Sequence, residues 1–219
     1  MEQRRLRVLG KVSSINVRKV LWTCDEIGLA YDREDWGKGF AETQTPEFRA
    51  LNPNAMVPVV VIGDYVLWES HAICRFLATL HGRDDLLPAD PWRRAQVEKW
   101  LDWQAAELNP AWSYAFRALM RHDPDCTDPA LIAASIARWN QHIAIIEQQL
   151  EKTGAYMAGD TFSLADIVIG LSLNRWAQTP MGTPMGTPIE RPDFPAIARY
   201  RECLQERPAC RAYGSDATP

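Results

Sequence analysis

The chain has 219 residues, enough for one large or two ordinary domains. With 47% hydrophobic and 24% charged residues it can bury a core, which excludes a disordered tail. A formal net charge of −4 and a pI near 5.6 argue against a nucleic-acid binder, which needs a concentrated basic face. No apolar run approaches the ~20 residues a membrane helix requires. The charged start, Met1 to Arg7, carries no signal-peptide pattern, so a cytoplasmic protein with no membrane partner is expected. Cys24, Cys74, Cys126, Cys203 and Cys210 are scattered, without CxxC or paired Cys/His ligand spacing. Free thiols in a reducing compartment are expected and a structural zinc is not.

From Leu6 the chain alternates in type. Leu6-Arg7-Val8-Leu9 predicts a short strand. Val17, Val20, Leu21, Cys24 and Ile27 then fall at i, i+3, i+4, i+7 and i+10, one face of a helix that Gly28 stops. Ala30 to Asp35 reads as a second strand, and Thr45-Pro46-Glu47-Phe48 opens a short helical turn. The β-branched run Val57-Pro58-Val59-Val60-Val61-Ile62 joins Tyr65-Val66-Leu67 through Gly63-Asp64 as a hairpin. Ile73, Phe76, Leu77 and Leu80 mark a closing helix. The order β-α-β-α-β-β-α over residues 1–81 is a small α/β layer.

Residues 82–91, with Asp84, Asp85, Pro88, Asp90 and Pro91, have linker composition. Residues 92–219 read as an all-α bundle. One helix runs from about Trp92 to Met120 and a second from about Pro129 to Lys152. In the second, Ile132, Ile136, Trp139, Ile143, Ile146 and Leu150 form a seam. Ser163 and Asp166 are spaced as N-cap and N3 of a capping box, followed by the stripe Ile167, Val168 and Leu171. Thr179 to Pro188 is too rich in Pro and Gly for an element and reads as a loop; Phe194, Ile197, Ala198 and Leu204 suggest a last helix.

Four stretches follow one another in telling order: Gly10-Lys11-Val12-Ser13-Ser14-Ile15-Asn16-Val17-Arg18-Lys19-Val20-Leu21, Asn52-Pro53-Asn54-Ala55-Met56-Val57-Pro58, Leu67-Trp68-Glu69-Ser70-His71-Ala72-Ile73, and Ser163 to Asp166. Together they resemble the cytosolic glutathione transferases of serine type (phi, theta and zeta classes) along nearly the whole chain. The resemblance implies a thioredoxin-like first domain (βαβαββα) that binds glutathione. It also implies an all-α second domain lining the electrophile pocket, a homodimer, and no metal.

Serine is favoured at helix starts as a cap, so Ser13 and Ser14 have a purely structural reading. The resemblance gives one of them the glutathione sulfur. A thiol of pKa about 8.5 is mostly protonated at neutral pH, and the thiolate is the nucleophile. Lowering that pKa by about two units takes roughly 2.7 kcal/mol. One hydroxyl hydrogen bond to a charged sulfur supplies about 1.5–3 kcal/mol, and a helix N-terminus up to about 1 kcal/mol more. No general base is needed. Alignment to the phi class places Ser14 on the catalytic hydroxyl, and alignment to the zeta class places Ser13 there; Ser14 is preferred.

By the same resemblance Pro58 is cis and turns Val57 so that its N–H and C=O pair with the cysteinyl backbone of glutathione. Ser70 and the helix start hold the γ-glutamyl carboxylate while Glu69 pairs with the ammonium. The chain departs from the family at the glycine end. Thr43 and Gln44 stand where the phi pattern has basic residues, and Met56 where Gln or Lys is usual, which leaves Gln44 as the candidate anchor. Trp112, Tyr114, Phe116 and Arg117 are the expected pocket walls. His71, His142 and Cys24 read as structural.

The leading reading is transfer of glutathione to a hydrophobic electrophile. Isomerisation, dehalogenation or peroxide reduction with the same co-substrate is the alternative enzyme reading, and a non-catalytic binding module is the alternative of another class. A disulfide oxidoreductase ranks low, because Ser13 to Asn16 occupy the place of a CxxC.

Overall fold

A computed structural model describes residues 5–181 and 191–215; the expected loop from Thr179 to Pro188 lies outside them beyond Met181. The first part follows the sequence order: β1 (Leu6–Leu9), α1 (Ile15–Ile27), β2 (Tyr31–Glu34), α2 (Pro46–Leu51), β3 (Val59–Ile62), β4 (Tyr65–Trp68) and α3 (Ser70–Leu80). The strands form one mixed sheet of order β2-β1-β3-β4, with β1 parallel to β2 and antiparallel to β3, and β3 antiparallel to β4. Gly28 ends α1 in the left-handed region and its N–H bonds to carbonyls of the last turn, the role its place after the apolar stripe predicts. Of the four residues that mark α3, Ile73 and Leu77 are buried while Phe76 and Leu80 stand exposed.

The second part is helical: α4 (Pro91–Trp103), α5 (Asn109–Arg121), α6 (Pro129–Thr153), α7 (Leu164–Gln178), α8 (Pro195–Gln205) and the short α9 (Pro208–Cys210). The helix expected from Trp92 to Met120 is present, but a π-helical turn at Gln104–Leu108 divides it into α4 and α5. The capping box is formed as expected. Asp166, fully buried, accepts from the Ser163 N–H at 2.8 Å and its hydroxyl at 3.0 Å, from the Met157 N–H at 2.8 Å and from the Tyr200 hydroxyl at 2.8 Å.

One large apolar cluster runs from Leu6 in β1 through α1 and α3 into every long helix of the second part. Helix α1 is its hub. Val17, Val20, Leu21 and Cys24 are buried as the periodicity predicts, and so are Arg18, Lys19 and Trp22, because α7, the π-helical turn with Gln104 and the segment around Tyr213 cover the rest of the helix. Gly170 of α7 permits that approach: a methyl group there would meet Leu204 Cδ1 at 2.8 Å and Trp22 Cη2 at 3.6 Å. Glu26, at the far end of α1, receives Arg207 through two nitrogens at 2.9 and 2.5 Å, and this ties the C-terminal segment to the helix. All five cysteines are free thiols. No helix among the described residues is long and apolar enough to cross a membrane.

Candidate active site

Strand register assembles the site. Leu9, Val59 and Trp68 lie side by side across β1, β3 and β4. The residues just past them (Gly10 to Ser14, Val57-Pro58 and Glu69-Ser70) therefore meet at one end of the sheet. Gly10 lets two of these segments touch. At φ 151° a methyl group on it would collide with Val17 Cγ2 at 2.4 Å and approach Val57 Cβ to 3.1 Å.

Ser14 is the N-cap of α1, with φ −82° and ψ 121°, yet its side chain makes no capping bond. Its backbone is fixed instead: the N–H donates to Lys11 C=O at 3.1 Å and the C=O accepts from the Arg18 N–H at 3.0 Å. The half-buried hydroxyl is left available. Ser13 sits one residue earlier on an exposed turn.

The Val57-Pro58 bond is cis, as expected. Asn52, 3% exposed, braces the loop before it by donating to Met56 C=O at 2.8 Å and accepting from the Asn54 N–H at 3.0 Å. The Met56 side chain points out, 63% exposed. Among the described residues neither the Val57 N–H nor its C=O has a partner.

Glu69, at the N-cap of α3, holds φ 71° and ψ 110°, a conformation that costs a non-glycine residue about 1–3 kcal/mol. Its exposed carboxylate makes no hydrogen bond or ion pair among the described residues, and the hydroxyl of buried Ser70 beside it makes no hydrogen bond. Such strain beside unused polar groups is a mark of a binding site. Gln44, exposed, accepts from Arg49, which also reaches Pro53 C=O at 3.2 Å. Arg49, in the last turn of α2, thus sets beside Gln44 a cation that the sequence analysis does not single out.

The four expected wall residues do not share a face of α5. Trp112 and Phe116 pack edge to face at 5.3 Å toward α7. Tyr114 and Arg117 turn to the α5–α6 connection, where the Tyr114 hydroxyl accepts from the Asp128 N–H at 3.3 Å and Arg117 pairs with Asp123 at 2.9 Å.

Behind the site lies a polar network that no sequence pattern announces. Lys19 donates to His71 and Gln104, and Gln104 donates on to Asn109 at 2.7 Å and Ser172 at 3.1 Å. Burial lowers the Lys19 pKa to about 7; burial, with Lys19 and Arg75 nearby, lowers that of His71 to about 2, so the ring stays neutral. Among the described residues no group of His, Cys, Asp and Glu is placed to hold a metal.

Residues 4–79 match the family model for the glutathione S-transferase N-terminal domain, and residues 129–203 that for the C-terminal domain. The chain is 35% identical over 204 residues to glutathione S-transferase GstB of Escherichia coli (strain K12), covering 92% of this chain and 94% of that protein. It belongs to the glutathione S-transferase family. Glutathione S-transferase F10 of Arabidopsis thaliana is 32% identical over 157 residues, 68% of this chain and 71% of that one. Among solved structures, the theta class glutathione S-transferase of Xanthomonas axonopodis pv. citri with glutathione bound superposes with a TM-score of 0.87 at 32% identity. That match covers 99% of this chain and 100% of the other. A glutathione S-transferase fold thus accounts for both the four-stranded sheet and the helical part.

Proposed function

We propose that this family member transfers glutathione to an electrophile, with the Ser14 hydroxyl donating to the glutathione sulfur. One observation carries the reading: Ser14 occupies a capping position without capping, so its hydroxyl is free to serve a ligand. Removing that bond costs about 1.5–3 kcal/mol of thiolate stabilisation. The start of α1 adds a smaller favourable field. Val57 supplies an amide and a carbonyl for the cysteinyl backbone, and Ser70 with the first turn of α3 takes the γ-glutamyl carboxylate. Glu69 takes the ammonium, and Gln44 with Arg49 takes the glycine end beside Met56. The glutathione bound in the Xanthomonas relative supports glutathione as co-substrate. Trp112 and Phe116 wall the acceptor side with apolar surface. The protein acts as a cytoplasmic homodimer without a metal.

Retention on immobilised glutathione and turnover of a generic aryl halide test this in wild type, Ser14→Ala and Ser13→Ala. Ser14→Ala should retain binding while turnover falls about 10- to 100-fold. Ser13→Ala should lose less than about threefold, since an exposed hydroxyl on a turn contributes little. An unchanged rate in Ser14→Ala, or a wild type that does not bind glutathione, would overturn the reading.

A further inference from the structure

The side of α7 that faces Trp112 and Phe116 carries a buried cation. Arg175 is 4% exposed, and its guanidinium carbon lies 4.5 Å from the centroid of the Trp112 ring and 4.3 Å from that of Phe116. Its Nε is shielded from solvent and has no hydrogen-bond partner. Among the described residues no carboxylate pairs with it. Among the described residues the charges that act on it are of like sign. Burial first, then Arg18 and Arg121, lower its pKa to about 9, which leaves it cationic at neutral pH. Arg121, exposed at the end of α5, lies 5.4 Å over the same Phe116 ring, so positive charge runs from the surface inward. Arg18 stands one turn past Ser14 on α1 and is itself 1% exposed.

Aromatic faces offset part of the cost of burying a cation, but an isolated buried charge remains expensive. The field of Arg18, which itself donates to Tyr213 C=O at 3.1 Å, raises that cost. An anion arriving with a ligand relieves it, and the planar guanidinium fork suits a carboxylate with two parallel bonds. Titratable groups with strongly shifted pKa values concentrate at functional sites.

We infer that Arg175 binds a carboxylate on the acceptor substrate, whose apolar part lies against Trp112 and Phe116, so that this transferase takes anionic electrophiles. The inference rests on the transferase reading above and adds to it the charge class of the acceptor. The carboxylate does not react. The thiolate sulfur forms the new bond to carbon, and the leaving group departs with the electron pair of the bond it breaks.

The test compares 4-chloro-3,5-dinitrobenzoate with 4-chloro-3,5-dinitrobenzamide, each rate divided by its uncatalysed rate. In both, sulfur displaces chloride at the same ring carbon. Wild type should favour the benzoate in kcat/KM by about 10- to 100-fold, the range for a hydrogen-bonded pair involving a charged group. Arg175→Met should bring the ratio to about one, and Arg175→Lys should keep part of the preference. A wild-type ratio of one or less, or an unchanged ratio in Arg175→Met, overturns the inference. If Arg175→Met does not fold, the wild-type ratio and Arg175→Lys decide. If wild type turns over neither compound, the transferase reading fails separately. Quenching of tryptophan fluorescence by the unreactive 3,5-dinitrobenzoate and 3,5-dinitrobenzamide then measures recognition alone, and equal affinities refute it.

Discussion

The ammonium of Lys19 meets His71 Nε2 at 2.9 Å, between α1 and α3, and Gln104 Oε1 at 3.0 Å across the seam to the helical part. No carboxylate hydrogen-bonds to it among the described residues; Glu69 supports its charge only through space, and burial and Arg175 oppose it. That arrangement sets the direction of pH dependence. Lys19 has a folded pKa of about 7 against 10.5 ordinarily, and His71 about 2 against 6.5. In each window the unfolded chain holds a proton that the native state lacks, so stability rises with pH through it.

Stability to urea is therefore expected to rise from pH 5 to 6.5 through His71 and from pH 7 to 8.5 through Lys19. The second rise is at most about 2 kcal/mol. Above pH 9 the buried Cys24, Cys74 and Cys210, whose thiol pKa values burial raises, act in the opposite sense. Lys19→Met should flatten the slope between pH 7 and 8.5. Midpoints of urea unfolding at pH 5.5, 7 and 8.5 check this, and a wild-type midpoint that does not move would contradict it.

Glu69 gives a case where stability and binding should part. Glycine accepts φ 71° without penalty, so Glu69→Gly should stabilise the fold by up to about 1 kcal/mol at neutral pH. The same change removes the proposed partner of the glutathione ammonium and should weaken glutathione about 10-fold or more. Thermal melting of the free protein and calorimetric titration with glutathione read the two effects apart. Glu69→Gln should weaken binding without the gain in stability.

Gly10→Ala should damage the site directly. The added methyl meets Val17 Cγ2 at 2.4 Å, a branch of a buried side chain with little room to yield. A loss of about 2–4 kcal/mol in stability is expected, with a raised KM for glutathione as the Ser14 and Val57 segments are forced apart.

Asp166→Ala would leave four donors around an empty site, at a cost of about 3–5 kcal/mol. Asp166→Asn keeps the shape but turns one or two hydrogens toward those donors, and should cost about half as much. Urea denaturation of both variants gives the comparison.

Features encoded within a few residues were legible in the sequence. The hairpin lies in a β-branched run broken by Gly63-Asp64, the end of α1 in Gly28, and the capping box in Ser163 and Asp166 at the right spacing. What the sequence could not disclose depends on contacts between distant segments. The period of α1 assigns Val17, Val20, Leu21 and Cys24 to a core and leaves Arg18, Lys19 and Trp22 to the opposite face. Only the packing of α7, the π-helical turn and the C-terminal segment reveals that this face is buried as well. Within the candidate site, Ser14, Val57, Glu69 and Ser70 stand out through family motifs. Arg49, Arg175 and the Lys19 network do not, since a surface cation and a buried one look alike in a linear pattern. The wall positions on α5 fell two to each side because a stretch of 112–117 spans more than a full turn of helix.

Because α1 is enclosed on both faces, a fragment cut after residue 81 should not behave as an autonomous module. It would present Trp22, Lys19 and Arg18 to water on a surface built to be covered, and would lose the Gln104 acceptor that Lys19 relies on. Chimeras that exchange the first part between relatives should therefore fail unless matching residues of α7 travel with it, Gly170 foremost.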